Sequence, residues 1–438
     1  MTGKILLRGG TVLTLGAKTP NHALADVLIE DDRVAEVGPG LRARDAEVVD
    51  ATDTIVMPGF VDTHRHAWRS LFRNLGERGT STDAPVSMEA LFEHFGPEEV
   101  YAATLISLLG AVEAGITTVV DWADLPLDDA SADAALQAHA DAGLRTVLVP
   151  ARHRTGRPDA TRELLARLAG AAGPSTTVAI GSELGGTDAD RVAGDRALAR
   201  EVGAPLHVHL GSQTPGAIAA LGKRVALGGD VTLVHCFELD EADLTAIASA
   251  GASVSLAPSS EMAGGRGSPP IQELVDRGIR PGLGTDDERV APGDLFAQMR
   301  ATISLQHATV FDRKLAGKAG LPRLMSTRDV IRFATAEGAR VAGLGGVTGS
   351  IEPGKQADLV VLRTDRPNIF PINDPIGAVV WGMDTSNVDR VFAAGRVLLR
   401  EGVLQADVAR ARGAAIAAHE RVAAAAGLVV GATPGGAR

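Results

Sequence analysis

The chain has 438 residues, 45% apolar and 22% charged, a balance that supports a sizeable core and excludes a disordered chain. Lysine and arginine number 43 against 54 aspartates and glutamates, and the net charge of −11 argues against nucleic acid or an anionic membrane surface as the main partner. A single cysteine, Cys236, excludes an internal disulfide and points to a reducing, cytoplasmic setting.

The first 56 residues read as short strands. ILLRGGTVLTL, ADVLIEDDRVAEVG and AEVVDATDTIVMPG join β-branched residues to turn signals such as Gly9-Gly10 and Asp31-Asp32. MTGKILLRGGTVLTLG lacks the long apolar stretch of a secretory signal, and no run approaches the ~18 uncharged apolar residues of a membrane span. From residue 57 short apolar runs alternate with longer helical patterns. The runs are IVMPGFVDTH, TTVVDWA, RTVLVPA, TVAIGSE, PLHVHL, VTLVHC, SVSLAPSS and PGLGTD. Between them lie helical stretches such as PEEVYAATLISLLGAVEAG and DEADLTAIASAG, each closing near a glycine stop. Eight β-then-α units imply an α/β fold of the (β/α)8 type, a TIM-type barrel over 57–349. An open doubly wound sheet would usually carry a glycine-rich phosphate loop after its first strand, where this chain has THRHAWRS. Helices are expected near 326–344. Strand-like ADLVVLR, GAVVWG and VDRVFAAGRVLL follow, then an alanine-rich helix. Residues 1–56 and 350–438 are therefore expected to form one composite β-sandwich.

Histidines gather at the ends of these strands. His64 and His66 close the first, and a strand puts residues i and i+2 on one face. His207 and His209 repeat the spacing on the fifth strand, His235 ends the sixth and Asp286 the eighth. Barrel strands converge at their C-terminal ends. Imidazoles and a carboxylate meeting there suit Zn²⁺ or Fe²⁺ with a position open for water. Cys236 is expected on the opposite strand face from His235, in the core. The stretch 263–267 resembles a phosphate loop only in composition and is read as a loop over the pocket.

MPGFVDTHRH, LHVHL, VHC, GLGTDD, ATAEGARVAGLGG and GSIEPGKQADLVVL resemble the amidohydrolase superfamily, in its cytosine deaminase-like branch with triazine hydrolases and N-heterocycle deaminases. The resemblance runs from about residue 4 to 405. It implies one divalent ion, Zn²⁺ ahead of Fe²⁺, held by His64, His66, His209 and Asp286. It makes Asp286 the general base and gives His235 the role of orienting the nucleophile or polarising the substrate. His207 is read as a supporting or packed residue. The implied activity is hydrolytic deamination of an amino-substituted N-heterocycle, a small-molecule substrate, by a homo-oligomer (dimer or tetramer).

Two positions depart from the family pattern. The glutamate three residues after the fifth-strand histidine is replaced by Ser212, which cannot shuttle a proton at neutral pH. A Pro-His pair after the fourth strand is replaced by Gly181-Ser182-Glu183. Glu183 either takes over the acid–base role, or the reaction needs no such shuttle, or Glu183 binds a cationic group or an arginine. The departures leave open removal of a halide or alkylamine, metal-assisted hydration or elimination, and, ranked lower, a non-catalytic scaffold. Trp68, Arg73, Trp122, His153, Glu183, Ser212 and Ser260 are the candidate substrate contacts. Asp287 is read as a supporting or solvated carboxylate.

Overall fold

A computed structural model describes residues 3–75, 91–124, 128–151, 162–171, 173, 175–185, 189–211, 214–265 and 267–428. His153 and Ser212 lie outside the described residues.

The chain begins with five strands, β1 (Lys4–Val12), β2 (His22–Glu30), β3 (Arg33–Gly38), β4 (Ala46–Asp50) and β5 (Thr54–Pro58). β1 runs antiparallel to β2 throughout, but it changes its other neighbour half-way. Lys4–Arg8 pair with β4, and Thr11 and Val12 pair with β5. The change falls at the glycine pair. Gly9 has φ 80°, and a Cβ on Gly10 would meet the Ala51 carbonyl at 3.2 Å, so side chains here would block the bend.

The barrel follows with β6 (Phe60–Arg65), β7 (Ile116–Ala123), β8 (Arg145–Pro150), β9 (Thr176–Val178), β10 (Ile180–Leu184), β11 (Leu206–Leu210), β12 (Val231–Val234), β13 (Ser253–Leu256) and β14 (Gly282–Leu283). They form two parallel arcs, β6-β7-β8-β9 and β10-β11-β12-β13-β14. Only Ala179 separates β9 from β10, so the two act as one strand in two pieces. Bridges between Ala151 and Gly181 and between Arg65 and Asp286 join the arcs at both seams. The result is the eight-stranded (β/α)8 architecture expected from the alternation of runs.

Helices Pro97–Glu113, Asp129–Ala142, Ala189–Val202 and Glu241–Ala250 fill the intervals read as helical. Asp128 and Asp240 cap two of them by accepting from Ser131 N and Asp243 N. Inside the barrel, Val61, Val120, Trp122, Val147 and Val149 meet Ala339 and Ala342. The short helix Ala336–Val341 thus plugs the N-terminal end, with Thr232 donating to the Val341 carbonyl at 3.1 Å.

The last strands are β15 (Leu359–Arg363), β16 (Val388–Ala393), β17 (Arg396–Arg400) and β18 (Val403–Leu404). β15 pairs antiparallel with β5 and so joins the two chain ends. The sheet runs β18-β17-β16-β15-β5-β1-β2-β3, with β4 beside β1. Its core combines Leu7, Val27 and Val56 with Leu359, Val361 and Phe392. The two chain ends thus build one composite unit, as expected, with hydrogen bonding continuous through nine strands. GAVVWG departs from expectation and is helical, not a strand. Pro375 starts a helical turn, Asp374 caps it at Ile376 N and Gly377 N, and the turn runs on through Ala378–Gly382. Its Val379 and Val380 are buried, while Arg300 holds the Met383 carbonyl at 2.8 Å. Local capping and an anchoring arginine outweigh the β-propensity of two valines.

Candidate metal centre and active site

The first strand delivers His64 and His66, and the eighth delivers Asp286 between them. Asp286 N donates to the His64 carbonyl at 2.8 Å, and His66 N donates to the Asp286 carbonyl at 3.0 Å. This clamp sets the Asp286 carboxylate 3.4 Å from His64 Nε2 and 3.2 Å from His66 Nε2. It needs Gly284 beside it, because a Cβ there would lie 2.7–2.9 Å from the His64 backbone and Cβ. Asp62 locks the same seam by accepting from Thr285 N, Thr285 Oγ1 and Arg65 Nε.

His209 and His235 complete the cluster. Their Nε2 atoms lie 3.0 Å apart, and the His64 ring is 5.4 Å from His209 and 5.2 Å from His235. Asp286 and His235 both have left-handed backbone, with φ 57° and 79°. For non-glycine residues that conformation costs about 1–3 kcal/mol and gathers at functional sites.

The donor set fits a divalent cation. Both ring nitrogens of His64 are buried without a hydrogen-bond partner. Burial pulls the His64 pKa down to about 4 and puts His209 well below its ordinary value, so both rings are neutral and present lone pairs. Burial works to raise the Asp286 pKa, yet the His64 and His66 imidazoles hold it well below the usual carboxylate range. Neutral imidazoles at His64 and His209 facing an ionised carboxylate suit zinc and ferrous iron.

Two carboxylates stand behind His66 and His235. Asp124 accepts from Trp68 Nε1 at 2.6 Å and Arg69 at 2.6 Å, and lies 3.0 Å from His66 Nδ1. Glu261 lies 2.9 Å from His235 Nδ1. Carboxylates behind metal-binding histidines fix ring orientation and raise ligand basicity. Their sequence signals were present but mute: Asp124 stands two residues beyond Trp122, and Glu261 sits in a helical turn, Pro258–Ala263, right after β13.

The other expected residues divide into two groups. Glu183 is the register partner of His209 on adjacent strands, which puts both on one face at one height. Trp122 is fully buried, with its ring 5.2 Å from His209 and 5.8 Å from His64, and its indole nitrogen has no partner. His207, two residues below His209, is buried with Nδ1 unpartnered, and burial lowers its pKa to about 3. By contrast, Trp68 is buried against Phe92 and Phe95 and hydrogen-bonds Asp124. Arg73 pairs with Glu288 at 3.0 Å, and Ser260 donates to Asp286 Oδ2 at 2.6 Å. Asp287 is buried and accepts from Arg69 and Arg289. Cys236 is buried in the core as expected, but not through strand alternation, because its φ of 61° places it beyond the end of β12.

A histidine-rich barrel mouth with a buried carboxylate that could hold a divalent ion is the setting of a barrel hydrolase. The amidohydrolase family model matches residues 55–398, and the chain belongs to that family. It is similar to 5'-deoxyadenosine deaminase of Methanothermobacter thermautotrophicus, 29% identical over 430 residues, covering 92% of this chain and 94% of the relative. It is also similar to 5-methylthioadenosine/S-adenosylhomocysteine deaminase of Symbiobacterium thermophilum, 28% identical, covering 91% of this chain and 94% of the relative. Among solved structures, a zinc-bound adenosine deaminase from Xanthomonas campestris superposes with a TM-score of 0.79 at 23% identity, over 96% of this chain and 98% of its own. Atrazine chlorohydrolase of Arthrobacter aurescens with zinc superposes at 0.79 and 21% identity, over 95% and 100%. These two superpositions speak to the fold.

Proposed function

We propose that this amidohydrolase is a metal-dependent deaminase that replaces the exocyclic amino group of an N-heterocycle by oxygen, with 6-aminopurine nucleosides as its substrate class. The carrying observation is a pair of overlapping groups at the barrel mouth that share His64, one with His66 and Asp286 and the other with His209 and His235, each close enough to hold a metal ion. Relatives aligned over about nine-tenths of the chain bear the names of deaminases acting on 5'-deoxyadenosine and on 5-methylthioadenosine or S-adenosylhomocysteine.

His64, His66, His209 and Asp286 would hold one ion, Zn²⁺ before Fe²⁺. Such an ion supplies Lewis acidity and brings the pKa of water down to ~7. Asp286, kept ionised, takes a proton from the attacking water and returns it to the departing amine, which leaves as ammonia while the ring carbon keeps the oxygen. Ser260 steadies that carboxylate from Oδ2. Glu183 protonates the ring nitrogen in place of the absent glutamate at position 212 and regains a proton from the hydroxyl as the ring carbonyl forms, and Trp122 walls the heterocycle. His153 and Ser212 join them by sequence position. The bonds of Trp68 and Arg73 give those two a supporting role. A cytoplasmic dimer or tetramer completes the reading, checked by light scattering; among the described residues no helix is long and apolar enough to cross a membrane.

Ser212 favours a second reading, hydrolysis that expels a halide or alkylamine and needs no ring protonation. An ammonia-release screen decides between them. Adenosine, 5'-deoxyadenosine and methylthioadenosine should release one ammonia per turnover. Release from none of these, nor from pterins or aminotriazines, with chloride or alkylamine freed from triazines instead, overturns the proposal.

A further inference from the structure

We infer that Glu261 is a positioning residue that fixes the tautomer of His235, so that the ring presents a bare Nε2 to the reaction; the inference rests on the active-site reading above. His235 sits just past β12, where a left-handed φ of 79° turns its ring across the mouth. The ring is fully buried, stacks on Phe237 at 5.4 Å with planes 14° apart, and has Nε2 3.0 Å from His209 Nε2. Packing sets the ring plane, but packing alone does not choose which nitrogen carries the proton.

The choice falls to Glu261, which is 1% exposed. Its Oε1 lies 2.9 Å from His235 Nδ1 and also accepts the backbone N–H of Ala257 at 2.9 Å. With Oε1 already the acceptor of a backbone N–H, we assign it the acceptor role toward the ring as well. On that assignment His235 Nδ1 carries the proton and donates it, and Nε2 is left as an acceptor. A bare Nε2 accepts a hydrogen bond from attacking water or from a departing amine. The opposite tautomer would aim an N–H at His209 Nε2 and remove that nitrogen from metal binding. The short helix Pro258–Ala263 carries Glu261 and also brings Ser260 to Asp286, so one turn orients both His235 and the general base.

The experiment compares zinc-loaded wild type with Glu261→Gln and Glu261→Leu. The Gln oxygen still accepts from Nδ1–H, whereas Leu cannot. Leu is expected to lower kcat by about 10–100-fold with KM within threefold and one zinc retained, the usual scale for an outer partner of a metal-site histidine. Gln should lose markedly less. Nitrogen NMR of ¹⁵N-histidine-labelled protein, with His235→Gln for assignment, should show the Nδ1–H tautomer in wild type and Gln and its loss in Leu. This readout needs no substrate, so it tests the inference even if the substrate class is wrong. Should Leu fail to fold, wild type and Gln still decide. An Nε2–H tautomer in wild type overturns the inference, as does a Leu variant with wild-type kcat.

Discussion

Asp124 offers a sharp test of how the site is held, because it touches no reacting atom and yet bonds His66, Trp68 and Arg69 together. The carboxylate is 6% exposed, and at assay pH it is ionised. Burial raises its pKa, but Arg69 and His66 drive it well below the ordinary carboxylate range. Asp124→Ala removes the partner of His66 Nδ1, of Trp68 Nε1 and of one Arg69 nitrogen together. Buried donors left without acceptors cost about 1–3 kcal/mol each. Arg69 keeps Asp287 at 2.8 Å, so its charge is not stranded. The sum for the two remaining donors is a loss of about 2–6 kcal/mol in stability, on the same principle. His66 becomes free to rotate, which should weaken zinc binding by about 10–100-fold, or about 1.4–2.7 kcal/mol. Asp124→Asn keeps an acceptor oxygen for His66 and Trp68 and loses only the charge facing Arg69, so its zinc affinity should fall by less than about tenfold, below the range for full removal. Chelator competition at pH 7.5 measures the affinities, and thermal melts of the metal-free proteins measure stability. If Asp124→Ala binds zinc as tightly as wild type while His66→Ala does not, the support assigned to Asp124 is wrong.

Three further outcomes follow from the same geometry. Gly284→Ala places a methyl 2.7–2.9 Å from His64 backbone and Cβ atoms. It should destabilise the fold by about 1–3 kcal/mol and leave the purified protein below half its zinc; full zinc content would refute the close approach. Glu337 ties Arg332 and Arg340 together beneath the barrel; burial raises its pKa, but these arginines bring it below its ordinary value. A depressed carboxyl contributes stability above its unfolded pKa and loses it as pH falls through the folded value. Glu337→Gln should therefore melt earlier than wild type at pH 7, with the gap closing below pH ~4; a gap that widens in acid contradicts the pairing. Cys236 is fully buried and its thiol pKa is pushed up by that burial, so Ellman's reagent should detect no thiol in the native chain and one after denaturation.

The parts of this protein legible in sequence are those governed by short periodicities. His64-x-His66 and His207-x-His209 announce themselves because a strand returns to the same face every second residue. The eight apolar runs announce the barrel because each buried strand must be apolar. What stayed hidden depends on pairings between distant segments. Nothing in Asp124 marks it as the partner of His66, since 58 residues and a helix separate them. Glu261 acts from a helical turn whose position depends on where β13 stops. The change of neighbour in β1 at Gly9-Gly10 was equally hidden, since it is set by which strand docks beside it. GAVVWG misled because two adjacent valines outweighed the Asp374-Pro375 start signal just before them.

Zinc K-edge X-ray absorption on the purified protein, paired with its metal content, bears most directly on the whole reading. One ion per chain should appear, surrounded by three imidazoles and a carboxylate at about 2.0–2.2 Å, and His209→Ala should lose it. A protein that purifies without metal, will not take up zinc, and is unchanged by His209→Ala would contradict it.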